Sequence, residues 1–590
     1  MTQTVPTSAA RPIDAITVEV ISQSLGGIVQ EMQNSLFCTG YSTIVRESRD
    51  ASCAILDAEG RVLSQFTVLP LHLGAFPACV RSLLEFYPAE TLRSGDAFIV
   101  NHPYYGGSPH APDMALIAPI VVEGELFGFS ASIAHKSDIG GMVPGSSSGQ
   151  AREIFHEGIL LPPVRFVREG RPVREVDTIL RANSRTPELV LGDLSGQVGC
   201  TALGATRVAD LCHKYGVDVV AAAAERLYLL TEQRVRAAVA QWPDGVYSGS
   251  AALHSDGLEG NRPITIRVTV TIDGDHARFD WSETDDQVAG PYNIRPPLVR
   301  AVCSYALKCL VDPDLPSNEG LTLAVESITR PGSVVDPHFP APVNTYMPIA
   351  NVAVEAVLDA LAEILPLARI AESSRGISGT ISHFQDGGRF PRVQYELPAG
   401  AIGARVDGDG VSASKAHVAN GTITPIEIIE SEFPVELVRF ELVPDSGGAG
   451  RYRGGLAYVR EYRMLGDGQY SSRVGQMLSS PVGRDGGQPG SPGATVVNPG
   501  TAREHVILSE DGNYRLYAGD VIRREMTGAG GYGNPFDRPV EEVLDDVLDG
   551  YVTARGARES YGVVLVPDGP LWRVDRSATE RERASRSAAS

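Results

Sequence analysis

The spacing of apolar positions changes character along the chain. Ile21, Leu25, Ile28, Met32 and Leu36 recur at helical intervals and predict a helix over 13–37, with Pro12 suited to its first turn. Residues 51–56 and 61–64 read as a strand pair around a turn at 57–60. Residues 114–122 and 126–134 are two almost continuous apolar runs flanking Glu123-Gly124-Glu125, which predicts two strands joined by a tight turn. Helical patterning returns over 205–240, then 264–272 alternates strictly before the turn pair Asp273-Gly274. Residues 297–312 and 351–365 read as buried helices, 388–535 as a glycine-rich series of short strands, and 538–558 as a last helical segment. The pattern predicts a mixed α+β, multi-lobed fold with mixed or antiparallel sheets, packing helices and a β-rich C-terminal lobe. The boundaries expected are 1–245, 246–385 and 386–565, followed by a mobile tail over 566–590. No repeat of 20–50 residues is visible.

Composition narrows the functional classes. A net charge of −21 disfavours binding to nucleic acid or to an anionic membrane surface, both of which need a basic face. No apolar run reaches the roughly 18 residues of a membrane-spanning helix. Met1–Pro12 lacks the basic start and apolar stretch of a secretory signal. The seven cysteines form no C-x-x-C pair, which suits a reducing cytoplasm rather than a disulfide scaffold.

The chemistry concentrates in 101–141. Reading 113–135 as a hairpin centred on Gly124 sets Asp113, eleven residues before, opposite His135, eleven after. Opposed residues point to the same face. His110 precedes Asp113 by three residues, on a loop stiffened by Pro109 and Pro112. Two imidazoles and a carboxylate then converge. Nitrogen and oxygen donors without thiolate suit Zn²⁺ or Mn²⁺, and three protein ligands leave a position for water or substrate. Asp50, Glu47 and His72 are candidates for a fourth ligand. Asp138, three residues past His135, is a candidate to orient an imidazole or act as general base.

Two glycine-rich stretches invite nucleotide readings. Gly528–Gly533 spells G-x-G-x-x-G, but Asn534-Pro535 follows where a helix would have to begin, so a structural turn is expected. Gly448–Gly455 offers amides and arginines for an anion, and a structural turn is expected there too. No P-loop sequence and no G-x-S-x-G elbow stands out.

At these residues the chain resembles the hydantoinase B/oxoprolinase family over about 13–565. Asn101–Asp113 (NHPYYGGSPHAPD) is similar to the family motif N-D-P-Y-x-G-G-T-H-x-P-D, and Ala134–Gly141 (AHKSDIGG) to A-H-x-x-D-I-G-G. Glu157–Pro163 resembles E-G-x-x-x-P-P, and Gly192–Gln197 resembles G-D-L-x-A-Q. Gly450–Gly455 and Gly528–Pro535 resemble further family stretches. The resemblance implies His110, Asp113 and His135 as metal ligands, with Asp50 as the acidic fourth. It also implies a hydantoinase A-type partner subunit that binds ATP with Mg²⁺ and phosphorylates a small-molecule substrate, within a hetero-oligomer. Two departures stand out: His102 replaces the motif's Asp, as an added base or ligand or as a supporting residue, and Ser108 replaces Thr. Glu47 and His102 join Asp138 as candidate catalytic residues.

The activity expected is ATP-dependent opening of a cyclic amide of hydantoin, oxoproline or lactam type. An amide resists water because its carbonyl is resonance-stabilised and its nitrogen leaves poorly, and phosphorylating the oxygen changes that. The alternatives are a subunit of an ATP-dependent ketone carboxylase and a non-catalytic scaffold.

Overall fold

The first helix begins where a capping group is available. Asp14 accepts a hydrogen bond from the Thr17 amide at 3.0 Å, and α1 runs Ala15–Thr39. Pro12 and the rest of Met1–Pro12 lie outside the residues the structure describes. The structure is a computed structural model that describes 13–66, 68–258, 262–375, 378–384, 392–473, 479–508 and 511–587. After α1 come α2 (Thr43–Arg46), β1 (Ala51–Asp57), β2 (Val62–Gln65) and α3 (His72–Phe86). Next are β3 (Ala97–Val100), β4 (Asp113–Val122), β5 (Glu125–His135), β6 (Val164–Arg168) and β7 (Arg171–Pro172). Among the described residues these strands form one sheet in the order β2-β1-β5-β4-β3-β6-β7, with antiparallel pairing throughout.

Both faces of this sheet are covered, which explains the continuous apolar runs of β4 and β5. Helices α4 (Arg174–Asn183), α5 (Pro187–Tyr215) and α6 (Val217–Val239) follow the sheet in sequence. Cys53 and Ile55 of β1 pack in one core with Ile21, Met32, Cys200 and Val208 of α1 and α5. Ala54 and Leu56, pointing the other way, join a larger core with Phe76, Val80 and Leu83 of α3. Fully burying a Leu, Ile or Phe contributes roughly 1.5–3 kcal/mol. These two cores fix the position of the sheet between its helices.

The larger core extends into a second sheet. Strands β8 (Gly245–Leu253), β9 (Ile264–Asp273) and β10 (His276–Asp280) are antiparallel. Helices α7 (Pro296–Val311) and α8 (Gly320–Leu323) precede β11 (Val325–Ile328), which pairs with β10 in parallel. Helix α9 (Tyr346–Leu361) packs across β8 and β9. It starts five residues earlier than the apolar spacing suggests, with Tyr346 and Ile349 buried in its first turn.

The C-terminal lobe is β-rich. One sheet orders Arg392–Tyr395, Ser378–His383, Gly468–Arg473 and Asn513–Leu516. Another orders Val435–Leu442, Tyr458–Met464, Val521–Glu525, Ala494–Val497 and His505–Val506. No described helix is long and apolar enough to cross a membrane. The final helical segment divides in two, Val540–Leu548 and Ala554–Tyr561. Gly550 turns the chain at φ +77° and Thr553 caps the second helix. Regular elements continue through 565–587, into the stretch expected as a mobile tail. Leu565–Asp568 pairs with Leu571–Val574, and the helix Arg576–Ser587 is anchored by Arg583, which donates to the carbonyls of Tyr561 and Arg538 at 3.0 and 2.9 Å.

The two glycine-rich stretches hydrogen-bond to each other rather than facing an open cradle. Gly448 N donates to Ala529 O at 2.8 Å, Ala529 N to Gly455 O at 3.0 Å, and Tyr452 and Tyr532 bridge as in a sheet. A Cβ on Gly528 would lie 1.9 Å from the Ser446 carbonyl oxygen, so only glycine allows this approach. Gly528→Ala is expected to lower stability by about 1–3 kcal/mol, the usual cost of overpacking. Thermal and urea unfolding check this.

Candidate metal centre

The candidate ligands meet because of a compensated register. Glu123 and Gly124 both have positive φ, +52° and +90°, the backbone of a two-residue hairpin turn. Beside that turn Val122 pairs with Glu125 and Val121 with Leu126, a register centred between 123 and 124. A bulge then shifts the pairing so that Ile120 faces Gly128, and from there it runs unbroken to Asp113 opposite His135. The symmetric hairpin centred on Gly124 is therefore wrong in its turn and right at its open end.

His110, Asp113 and His135 are all buried, and one ligand atom from each lies within 4.8 Å of the others. His110 Nε2 is 3.2 Å from Asp113 Oδ2, and His72 Nε2 approaches the same oxygen at 3.8 Å. The Tyr346 hydroxyl donates to it at 3.3 Å. The His110 and His135 rings are 5.1 Å apart, and Tyr395 stands 4.6 Å from His135. Asp50 precedes β1, and its carbonyl accepts from His135 N at 3.1 Å. It lines the same cavity as the three.

The electrostatics are those of a site short of positive charge. Burial raises the Asp113 pKa, but His110, by charge and hydrogen bond, and then His72 and His135 outweigh it and hold the carboxylate well below its usual range. Burial lowers His110, and Asp113 more than reverses that, so its pKa is raised. Asp50 is pushed up to about 6 by burial and by the Asp113 charge. Both ring nitrogens of His72 are buried without a hydrogen-bond partner, although the residue is only 1% exposed. Buried polar atoms are normally satisfied, so an imidazole of this kind beside a carboxylate fits a cation. The donor set is nitrogen and oxygen only. The residues present therefore fit a divalent metal, which His110, Asp113 and His135 would hold, with Asp50 in the same cavity lining and His72 beside Asp113.

Three other expected site residues stand outside the cavity lining. Asp138 is fully buried with its carboxylate engaged. It accepts from the amides of Gly140, Gly145 and Arg185 at 2.8–3.0 Å and from the Arg185 guanidinium at 3.1 Å. Those bonds pin the loop after β5. His102 accepts the amides of Tyr104 and Tyr105 on Nδ1, both at 3.2 Å, which is what a carboxylate at that motif position could also do. Burial, with Arg295 nearby, lowers its pKa to about 4, so it stays neutral. Glu47 pairs with Arg46 at 2.7 Å.

Gln197, from the Gly192–Gln197 motif, braces the hairpin's open end. Its Oε1 accepts from Lys136 Nζ at 2.6 Å, and its Nε2 donates to Met114 O at 3.0 Å and Ser132 O at 3.3 Å. Asp193 of the same motif accepts from the amides of Tyr41 and Ser42. The sequence reading missed Asn344, Tyr346, Tyr395 and Lys415, all of which line the cavity. They lie more than 200 residues beyond the hairpin in segments without any metal-like spacing, so no local signal marks them.

Fold and site together define a mixed α+β protein with a candidate N/O metal centre buried between its sheets. The chain belongs to the Hydantoinase B/oxoprolinase family, whose sequence profile matches residues 14–535. It is 33% identical over 577 residues to the B-type subunit of a "Putative D-/L-hydantoinase" from Pseudomonas sp. (strain NS671), covering 94% of this chain and 96% of that one. It is 32% identical over 599 residues to the beta subunit of caprolactamase from Pseudomonas jessenii, covering 97% and 99%. The crystal structure of the ATP-dependent caprolactamase from Pseudomonas jessenii superposes with a TM-score of 0.89 at 28% identity, covering 97% of this chain and all of the matched chain. A nucleotide-free acetone carboxylase shares the fold, with a TM-score of 0.88 at 19% identity.

The brace and the buried carboxyl of Glu157 each lead to a measurable effect on stability. Gln197→Leu removes the side-chain partner of the buried Lys136 ammonium and is expected to cost about 2–3 kcal/mol, measured by chemical unfolding. Burial raises Glu157 from 4.5 to about 8. Folding therefore retains a proton that the unfolded chain loses, and stability declines as pH rises through that window. In the metal-free chain, wild-type melting temperature is expected to fall relative to Glu157→Gln between pH 5 and pH 8.

Proposed function

We propose that this chain is the metal-holding subunit of an ATP-dependent enzyme that opens a cyclic amide of hydantoin, oxoproline or lactam type. The observation that carries this reading is the convergence of His110, Asp113 and His135 in the lining of a largely apolar cavity, in a chain of this family. Asp50 is the acidic candidate for a fourth ligand to Zn²⁺ or Mn²⁺, with His72 as the alternative. A bound divalent metal supplies Lewis acidity and activates water near neutral pH. Leu69, Met347, Leu397, Pro398, Ala416 and Ala419 give the same cavity an apolar lining suited to receive the substrate body and exclude bulk water. Lys415 lines the same cavity and offers a cation to an anionic oxygen of the activated substrate. Tyr346, whose hydroxyl reaches Asp113, orients that carboxylate.

ATP and Mg²⁺ belong to a hydantoinase A-type partner subunit. Two relatives are themselves named as subunits, one of a hydantoinase and one of a caprolactamase. The match to 5-oxoprolinase 1 of Arabidopsis thaliana covers 88% of this chain but 42% of that longer protein, which leaves room there for a second function on the same polypeptide. The partner transfers the terminal phosphoryl group to the amide oxygen, and two waters are consumed overall, one to open the ring and one to release phosphate. The seven cysteines, all unpaired, suit a reducing cytoplasm.

Two measurements test the reading. The purified chain is expected to hold about one divalent metal per chain, and His110→Ala and His135→Ala are expected to abolish stoichiometric binding, as read by elemental analysis. Co-purified with its ATP-binding partner, the chain is expected to release ADP with a cyclic amide and yield the ring-opened acid. His110→Ala is expected to lower that turnover at least about 100-fold. ADP release only with a ketone plus bicarbonate would replace the hydrolase with a carboxylase. A metal-free chain whose His110→Ala variant keeps full activity would leave only a scaffold role.

A further inference from the structure

The Glu157–Pro163 motif supplies no candidate ligand, yet its first residue turns inward. Glu157 is 1% exposed, at the end of the short helix Ile154–Glu157. Its Oε1 accepts from two successive backbone amides, Val343 N and Asn344 N, both at 2.8 Å. The carbonyl of that same Asn344 lies 2.9 Å from His110 Nδ1. A peptide carbonyl carries no proton, so Nδ1 is the donor. That fixes the tautomer and leaves Nε2, the nitrogen facing Asp113, for a metal.

The Asn344 side chain is held from the same side. Ser147 Oγ donates to its Oδ1 at 3.0 Å, and its Nδ2 donates to Ser146 O at 2.9 Å. Both serines belong to the loop that Asp138 pins. That loop is joined to the Glu157 turn by Met142 N to His156 O and Ile159 N to Ile139 O, each at 3.0 Å. At Gly141, φ is +80° and a Cβ would lie 2.6 Å from the His156 carbonyl oxygen, so the two turns can approach this closely only without a side chain. Glu157 Oε2 is buried without a hydrogen-bond partner. A half-satisfied buried carboxyl costs stability, and groups of this kind concentrate at functional sites.

We propose that Glu157 is a positioning residue for the metal centre: it fixes the Val343–Asn344 backbone so that the Asn344 carbonyl holds the His110 ring with Nε2 turned towards Asp113 and His135. The inference rests on the reading that a divalent metal binds these three residues. Outer groups that orient a histidine ligand commonly control affinity as strongly as some ligands do.

The test uses the full-length chain as wild type, Glu157→Gln, Glu157→Ala and Glu157→Asp. Zn²⁺ affinity is measured by chelator competition, and the visible absorption of the Co²⁺-loaded protein reports ligand geometry. Far-UV circular dichroism checks folding. Glu157→Ala is expected to weaken Zn²⁺ binding roughly 10–100-fold and to change the Co²⁺ bands. Glu157→Gln keeps a carbonyl that can accept both amides, so its affinity is expected within about threefold of wild type with unchanged bands. Wild-type affinity and spectrum in a folded Glu157→Ala overturn the proposal, and so does a loss in Glu157→Gln as large as in Glu157→Ala. If Glu157→Ala does not fold, Glu157→Asp, one methylene too short for both amides, gives the same decision. A wild-type chain that binds neither Zn²⁺ nor Co²⁺ overturns the metal reading itself, a result distinct from the others.

Discussion

The register of the β4–β5 hairpin is the constraint on which the candidate centre depends. Asp113 and His135 face each other only because a bulge near Val121 offsets the asymmetry of a two-residue turn. Side chains alternate faces along a strand, so a slip of one residue would send the two groups to opposite sides of the sheet. The sheet is packed on both faces, which makes such a slip costly at every apolar position of β4 and β5 at once. Packing of ordinary hydrophobic residues thus holds two polar groups in register. Gln197 adds a polar brace at the end where packing alone would leave the strands free to fray.

Around that hairpin the centre is assembled from separate parts of the chain. Asp50 comes from the start of β1, His72 from the start of α3, and Asn344 and Tyr346 from the turn into α9. The family motifs divide the labour accordingly. Residues 101–113 and 134–141 carry the candidate ligands and the loops that present them, while 192–197 ties α5 to the hairpin. His102, where the motif has Asp, accepts the two turn amides on Nδ1, and burial keeps it neutral enough to do so. The cavity lining combines polar groups from the hairpin, α9 and later segments with apolar side chains such as Leu69, Met347, Leu397 and Ala419.

Much of the secondary structure was legible because the periods are strong. The helix over 13–37, the strand pair around 57–60, the strict alternation of 264–272 and the helix over 297–312 all have their counterparts at nearly the expected bounds. The misses have local causes. Gly550 and Thr553 split a segment that reads as one amphipathic helix. Arg576–Ser590 shows no apolar face in sequence, yet Arg583 binds the carbonyls of Tyr561 and Arg538, which composition does not reveal. Asp138 sits close in sequence to a candidate ligand, yet its carboxylate is taken up by a loop, because nearby amides and Arg185 reach it more directly than the cavity does.

By itself the sequence determined the local terms: which segments are helical or extended, which face of each is apolar, and that Asp113 and His135 share the end of a hairpin with His110 three residues away. Those properties follow from short-range periodicity and from turn residues whose backbone preferences are local. Only the tertiary structure decided what completes the centre. The nearness of Asn344 and Tyr346 to His110 and Asp113 and the hold of Glu157 on the 343–344 backbone come from where α9 and its preceding turn lie beside the hairpin's open end. Contacts across more than 180 residues are set by how whole apolar faces fit, and nothing in the sequence near either partner encodes that fit.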